Sequence, residues 1–219
     1  MTPYYEHAGI TIYCGDCREI LPTLPKCDLL LTDPPYGMAF TSGMAGVMGN
    51  CSVIGDDDHA LRDWVCDWWG NNPALIFGRW SIPKPLGTRM VLTWEKGNHV
   101  GMGDLSIPWK PNTEEIYVLG GGFEGHRGSS VLKHLAIAGC VGNANTGLRN
   151  HATEKPVTLI EELLGKCPQE WSILDAFMGS GTTLVAAKNL GRKAIGIEIE
   201  EKYCEIAAKR LSQEVFDFK

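Results

Sequence analysis

The fold is decided by the stretch Ser172-Ile173-Leu174-Asp175-Ala176-Phe177-Met178-Gly179-Ser180-Gly181-Thr182-Thr183-Leu184. Its apolar first half is typical of a buried strand, its glycines of a tight turn, and Thr182 of the cap that opens a helix. The turn is not a P-loop, because the lysine of GxxxxGK[ST] is missing, and Leu184 stands where GxGxxG has its third glycine. We therefore expect a strand, turn and helix whose turn binds something other than a phosphate chain.

The rest of the chain repeats this alternation. Apolar runs of strand length occupy seven stretches, residues 10–13, 28–32, 74–77, 90–94, 115–119, 172–177 and 194–199. Helical spacing occupies residues 59–69, 157–164, 182–190 and 202–213. Strands followed by helices predict a doubly wound α/β domain with a mostly parallel sheet, covered on both faces, that binds ligands at the carboxyl ends of its strands.

Composition fits one globular domain spanning residues 1–219. With 44% hydrophobic and 21% charged residues, the chain is neither fibrous nor disordered. The amino terminus has no basic and apolar leader, and no apolar run reaches the roughly 18 residues of a membrane span, so we expect a cytoplasmic protein without a membrane partner. The eight cysteines are scattered and contain one CxxC pair, which predicts reduced thiols and no metal site.

The net charge of -6 argues against a nucleic-acid partner, but the charge is unevenly distributed. Residues 77–156 carry nine Lys and Arg against six Asp and Glu, together with several histidines and aromatic residues. A basic segment with aromatics suits a nucleic-acid surface. Chance scatter of charges explains the same excess equally well, so both interpretations stay open.

A second segment, Cys27-Asp28-Leu29-Leu30-Leu31-Thr32-Asp33-Pro34-Pro35-Tyr36-Gly37, runs from an apolar strand directly into Asp-Pro-Pro-Tyr. Two prolines make a rigid turn, but a turn alone does not require an acid and an aromatic beside them. The exocyclic amine of a nucleobase is a poor nucleophile, because its lone pair is delocalised into the ring. If the Asp33 carboxylate and the Pro34 carbonyl both accept from that amine, the lone pair becomes available, and Tyr36 can stack on the flipped base.

The strand that follows the glycine turn ends in Glu198. Its carboxylate could accept hydrogen bonds from both hydroxyls of a ribose, as in dinucleotide sites. Because no phosphate-neutralising group accompanies it, the ligand predicted here is a nucleoside without phosphate.

Together, the Asp-Pro-Pro-Tyr and Asp-Ala-Phe-Met-Gly-Ser-Gly-Thr-Thr segments resemble those of the amino-group DNA methyltransferases that use S-adenosylmethionine, in the permuted β class whose catalytic motif comes first. Gly15-Asp16 is similar to an element of that family that contacts the cofactor adenine. Residues 151–156, His-Ala-Thr-Glu-Lys-Pro, are similar to its HPTEKP element, which lines the cofactor pocket. The resemblance implies a seven-stranded Rossmann-like sheet with a small target-recognition insert.

It also implies the roles of individual residues. Catalysis falls to Asp33, Pro34, Pro35 and Tyr36. Cofactor binding falls to Asp16, Lys155, Asp175, Phe177, Gly179, Ser180, Gly181, Thr182 and the ribose ligand Glu198. For Asp16 the alternative is an ordinary helix cap, and for Lys155 a solvated surface charge.

The activity expected is transfer of a methyl group to the N6 amine of adenine in double-stranded DNA, within a restriction-modification system of a prokaryotic or phage-infected cell. Cytosine-N4 methylation is the alternative, methylation of an RNA or protein amine is a further one, and a non-catalytic DNA-binding protein that senses S-adenosylmethionine is the alternative of another class. We expect target recognition in residues 120–150, with Arg127, Lys133 and Arg149 on DNA. A flexible connector would explain that segment as well.

The recognition insert is short, which suggests a brief target site or help from a second subunit in a homodimer. Residues 37–55, rich in glycine and methionine, are expected to form a lid over the flipped base.

Overall fold

The computed structural model describes residues 2–35, 59–97, 105–137 and 154–213 of the chain. Within these ranges nine strands form one sheet: β1 (Tyr5–His7), β2 (Ile10–Cys14), β3 (Leu29–Thr32), β4 (Ala74–Gly78), β5 (Met90–Glu95), β6 (Thr113–Leu119), β7 (Val131–Lys133), β8 (Ile173–Asp175) and β9 (Ala194–Glu198). The helices are α1 (Cys17–Ile20), which continues into a 3-10 turn at Leu21–Thr23, α2 (Ala60–Trp69), α3 (Val157–Leu164), α4 (Thr182–Asn189) and α5 (Glu201–Ser212).

The order of strands across the sheet is β1-β2-β9-β8-β3-β4-β6-β5-β7. The five strands from β2 to β4 pair in parallel, β6 runs antiparallel to both β4 and β5, and β1 and β7 lie at the two edges. The doubly wound, mostly parallel α/β fold is therefore confirmed. The seven predicted strands are all present, and the sheet gains two three-residue edge strands, β1 and β7, which are too short to show an alternating pattern in the sequence.

Helices cover both faces of the sheet. The side chains of Leu29 and Leu31 point into the core beneath α3, α4 and α5, whereas Leu30 points into the core beneath α1 and α2. All three leucines of β3 are fully buried, as expected of a central parallel strand whose alternate residues face opposite layers. Burial of each such side chain stabilises the fold by about 2 kcal/mol.

The centre of the sheet contains the point where the winding reverses. From β3 the chain crosses to β4 on one side, and from β8 it crosses to β9 on the other, while β3 and β8 are themselves neighbours. In open α/β sheets a ligand binds beyond the carboxyl ends of such strands. We call the side of the sheet where β2, β3, β4, β8 and β9 end its carboxyl edge.

Gly181 begins α4, and this differs from the expected threonine cap. Gly181 is the cap residue, with a φ of 81°, and the helix start has no side-chain cap hydrogen bond. A Cβ at Gly181 would lie 2.7 Å from the Cβ of Ala207 on α5. Glycine is therefore required here both by the left-handed backbone and by the close approach of α5.

Among the residues that the structure describes, no helix combines the length and apolar character that a membrane crossing requires.

Candidate active site

The segment after β3 lies at the carboxyl edge, beside the end of β8. The hydroxyl of Thr32, the last residue of β3, donates a 2.8 Å hydrogen bond to Oδ1 of Asp175, the last residue of β8. Pro34 is buried, and the side chain of Asp33 is 21% exposed. The rigid turn therefore fixes Asp33 at the point where the winding of the sheet reverses, with part of its side chain exposed to solvent. Tyr36 and residues 37–55 lie outside the described residues.

Lys155 lies against Asp33. Its Nζ is 2.5 Å from Oδ2 of Asp33 and 2.9 Å from Oε1 of Glu114, and its side chain is 8% exposed. The alternative of a solvated surface charge for Lys155 is therefore wrong. Glu114, the second residue of β6, also accepts from Lys96, whose Nζ is 2.7 Å from its Oε2. The four residues form an ion-pair chain, in the order Lys96, Glu114, Lys155 and Asp33.

The ion pairs keep Lys155 and Glu114, the two central residues, in their charged states. Burial alone would favour a neutral Lys155, but the carboxylates of Asp33 and Glu114 outweigh it and raise the pKa of the lysine. Burial likewise opposes an ionised Glu114, yet Lys155 and Lys96 bring the pKa of that carboxyl below its usual range. At neutral pH, Asp33 therefore lies beside a permanent ammonium group.

The glycine turn after β8 is tied to Glu198 at the end of β9. The backbone N–H of Gly179 donates to Oε2 of Glu198 at 3.0 Å, and the N–H of Glu200 donates to Oε1 at 2.8 Å. The carboxylate has two lone pairs on each oxygen, more than the backbone donors of Gly179, Glu200 and Ile199 use, so it keeps an acceptor position for a ligand hydroxyl. Burial is the main cause that raises the pKa of Glu198, and the backbone donors oppose the rise.

Asp175 is fully enclosed at the base of the same turn. Burial raises its pKa to about 6, against hydrogen bonds from Thr183, Thr32 and the N–H of Phe177 that favour the carboxylate. Phe177 is half-buried and contacts the core beneath α1 and α2. A cationic ligand group near Asp175 would be attracted to its carboxylate and would lower its pKa.

Arg210 on α5 is a site residue to which the sequence gave no role. Its guanidinium donates to the backbone oxygen of Ser180 at 2.7 Å and lies 3.1 Å from the Ser180 hydroxyl. The same group pairs with Glu154 at 3.0 Å, next to Lys155 in the chain. Arg210 thus connects the glycine turn to the segment that supplies Lys155. The sequence contains one signal for this role, since Arg210 lies between Ala207 and Leu211, two apolar positions on one face of the helix.

Asp16 caps α1 and pairs with a neighbour. Its carboxylate accepts from the backbone N–H of Arg18 at 2.8 Å and from the Arg18 guanidinium, which lowers the pKa of Asp16. The structure thus shows the helix cap that was the alternative for this residue. The neighbouring Gly15 donates to the backbone oxygen of Glu198 at 2.9 Å, so Asp16 also lies near the ribose-ligand candidate.

Of the three residues expected on DNA, the two that the structure describes lie at opposite edges of the sheet. Arg127 follows β6, which runs antiparallel to β4 and therefore ends at the opposite edge from Asp33. Lys133 ends β7, which is parallel to β5, so it lies at the carboxyl edge, 77% exposed and 3.7 Å from Glu95. Arg149 lies outside the described residues. Part of the expected insert is thus a strand of the sheet.

These residues fit S-adenosylmethionine by the chemistry of their donor and acceptor groups. The carboxylates of Asp16, Asp175 and Glu198 lie at one edge of the sheet, around a turn in which Gly179 and Gly181 both have a positive φ. Carboxylates suit a ligand that carries ribose hydroxyls, a sulfonium and an ammonium group, and they would repel phosphates.

Known proteins share this architecture and sequence. The profile of the DNA methylase family matches residues 108–209. The type II methyltransferase M2.LlaDCHI of Lactococcus lactis subsp. cremoris is 50% identical over an alignment that covers 96% of this chain and 92% of the relative. The type II methyltransferase M.HinfI of Haemophilus influenzae is 27% identical, over 93% of this chain and 68% of its own length.

Solved structures agree. The crystal structure of the M1.HpyAVI-SAM complex superposes with a TM-score of 0.68 at 26% identity, covering 93% of this chain and all of the other. The cytosine-N4-specific PvuII DNA methyltransferase shares the fold, with a TM-score of 0.68 at 16% identity over 98% of this chain and 90% of its own. Together with the near full-length match to M2.LlaDCHI, these findings show that the chain belongs to the S-adenosylmethionine-dependent DNA amino-methyltransferases, the N6/N4 family that includes the type II methyltransferases.

Proposed function

We propose that this DNA methyltransferase transfers a methyl group to the N6 amine of adenine in double-stranded DNA, with Asp33 as the residue that receives the target amine. The observation that carries the proposal is the pairing of Asp33 with Lys155 at the carboxyl edge. It supports a carboxylate that is held in place at this edge and can accept a hydrogen bond from an N–H.

Asp33 and the backbone carbonyl of Pro34 accept from the two N–H groups of the amine and free its lone pair. S-adenosylmethionine supplies the methyl group from its sulfonium. On transfer, that carbon–sulfur bond would be exchanged for a carbon–nitrogen bond, and the amine held by Asp33 and Pro34 would give up one proton to water. Pro34 and Pro35 keep the acceptors fixed, and Tyr36 stacks on the flipped base.

The proposed cofactor contacts follow the carboxyl edge. Glu198 accepts from the ribose hydroxyls, Asp16 contacts the adenine, and Phe177 packs beside it. The turn formed by Gly179, Ser180, Gly181 and Thr182 would meet the methionine part, and the enclosed Asp175 would act on it through its charge and through the backbone that it anchors. Lys155 contributes to the same pocket from the side of Asp33.

For DNA, the carboxyl-edge position of Lys133 supports a contact with the substrate. A role of Arg127 from the opposite edge requires DNA that extends around the domain or a second subunit. The proposal also includes DNA contacts of Arg127 and Arg149, a lid at residues 37–55 and a homodimer. DNA binding by the variants tests the contacts of the two arginines.

The substrate amine is tested by expressing the protein in a bacterial strain that lacks its own DNA methyltransferases. Plasmid from these cells is digested to nucleosides and analysed by mass spectrometry, with the Asp33→Ala variant as control. N6-methyldeoxyadenosine is expected from the wild type and not from the variant. N4-methyldeoxycytidine instead would replace the adenine assignment by the cytosine one.

A further inference from the structure

The ion-pair chain extends the site beyond the residues that touch substrate. Lys155 forms ion pairs with Asp33 and with Glu114, at N–O distances of 2.5 and 2.9 Å. Glu114 forms a second ion pair with Lys96, at 2.7 Å. Two cations alternate with two carboxylates. The side chains of Glu114 and Lys155 are 11% and 8% exposed, so water does little to screen their interaction.

Rigid elements hold the far end of this chain. In the antiparallel register Glu114 lies opposite Trp94, and Lys96 follows directly after β5, where its N–H donates to the oxygen of Asn112 at 2.8 Å. The ammonium of Lys96 lies 5.2 Å from the centre of the Trp94 ring. Glu114 and Lys96 therefore have defined positions set by the β5 and β6 pair, independent of the loop that carries Asp33.

Lys155 is held from three sides. Besides the two carboxylates, its ammonium lies 4.9 Å from the centre of the Phe77 ring at the end of β4. An ammonium has three N–H groups, and how it divides them between Asp33 and Glu114 sets how much of the Asp33 carboxylate remains for a further donor.

We propose that Glu114 is a positioning residue for methyl transfer, which draws part of the Lys155 ammonium away from Asp33 and so leaves the Asp33 carboxylate a strong acceptor for the substrate amine. This inference rests on the proposed role of Asp33. Lys96 acts in the opposite direction, because it competes with Lys155 for Glu114.

The two variants that each remove one charge should therefore differ, since Glu114→Gln impairs methyl transfer and Lys96→Met does not. In Glu114→Gln the isosteric amide keeps the shape but not the charge, so Lys155 turns fully to Asp33 and weakens it as an acceptor. In Lys96→Met, the Glu114 carboxylate pairs with Lys155 alone, so Asp33 keeps its strength as a hydrogen-bond acceptor. A purely structural role of the chain would make both variants similarly impaired.

The experiment measures kcat and KM for DNA at saturating S-adenosylmethionine, and the Kd for S-adenosylmethionine by calorimetry. Glu114→Gln should lower kcat about 10-fold, less than the ~10² to 10³ of losing a direct acceptor, with Kd for the cofactor unchanged within twofold. Glu114→Asp, which retains the charge, should recover part of the loss. Lys96→Met should keep kcat within twofold of the wild type.

Glu205→Gln is the matched control, because Glu205 is an exposed carboxylate on α5 that pairs with Lys209 at 2.6 Å, away from Lys155 and from the residues proposed on DNA. Its kcat should equal that of the wild type. Wild-type kcat in Glu114→Gln, or an equal loss in Glu114→Gln and Lys96→Met, would overturn the proposal for Glu114. Should Glu114→Gln fail to fold, Lys96→Met decides alone, since a 10-fold loss of kcat there contradicts the proposed competition. If the wild type itself modifies no adenine, the proposed function fails instead, so the two failures are distinguishable.

Discussion

Replacing Lys155 by Met tests whether this lysine acts on the catalytic acid or on the cofactor. Met keeps most of the length and apolar volume of the side chain but removes the ammonium shared by Asp33 and Glu114. Removing one partner of a buried ion pair costs about 3 to 5 kcal/mol. Because Glu114 keeps Lys96, and the Asp33 side chain is 21% exposed, we expect the lower end, about 3 kcal/mol. In a domain of this size that corresponds to a loss of roughly 6 to 12 °C in Tm.

Activity separates the two roles of Lys155. If the ammonium fixes the position of the Asp33 carboxylate, Lys155→Met lowers kcat by about 10² at saturating S-adenosylmethionine, because the loss of that anchor outweighs any gain in acceptor strength, while the calorimetric Kd for the cofactor changes less than about threefold. Lys209→Met is the control, because Lys209 is 71% exposed and pairs with Glu205 on the surface of α5. It should change neither Tm nor kcat. A kcat that returns to the wild-type value once the cofactor saturates would refute our reasoning and make Lys155 a cofactor ligand only.

Three further variants test other parts of the site. Asp33→Ala should lower kcat by about 10² to 10³ in a methyl-transfer assay while the Kd for S-adenosylmethionine stays within a few-fold, and wild-type turnover would contradict the mechanism. Asp175→Asn should raise the free energy of unfolding at pH 7.5 by on the order of 3 kcal/mol, and by about half as much at pH 5, in urea titrations. The reason is that native Asp175, with its pKa raised from 3.8 to about 6, binds more protons than the unfolded chain between these values, so its contribution to stability falls as pH rises through that window. Equal increases in the free energy of unfolding at both pH values would show that burial does not raise the pKa of this carboxyl group. Arg210→Met should weaken S-adenosylmethionine binding about 10-fold in calorimetry, because the Ser180 oxygen and Glu154 lose their common partner, and an unchanged Kd would show that the turn holds its shape alone.

Periodicity was enough to predict the layers of the fold. The bounds of the seven predicted strands and four predicted helices agree with the structure within two residues at each end. Apolar runs such as Leu29 to Leu31 are unambiguous because both faces of a central strand are buried. The edge strands β1 and β7 were missed, since three residues with mostly exposed side chains leave no pattern.

The environment of the candidate acid could not be predicted in the same way. Lys155 and Asp33 are 122 positions apart, and Glu114 comes from a third element, so no local spacing connects them. A lysine in a sequence is most often a surface charge, and only the pairing of strands shows that this one is buried between two carboxylates. Arg127 shows that the direction of a strand is equally hidden in the sequence. Its charge within a glycine-rich stretch suggested the substrate side, whereas the antiparallel direction of β6 brings that stretch to the other edge.

The order of the two motifs along the chain follows from how the site is assembled. Thr32 and Asp175 are 143 positions apart, yet they are joined by a hydrogen bond because β3 and β8 are adjacent parallel strands. Each motif needs only its own strand and the turn at its carboxyl end. What the site requires is that the two strands be neighbours, not that one precede the other. A catalytic segment that comes first in the sequence and a cofactor segment that comes last can therefore build the same edge as the reverse order would, provided that the crossovers remain right-handed.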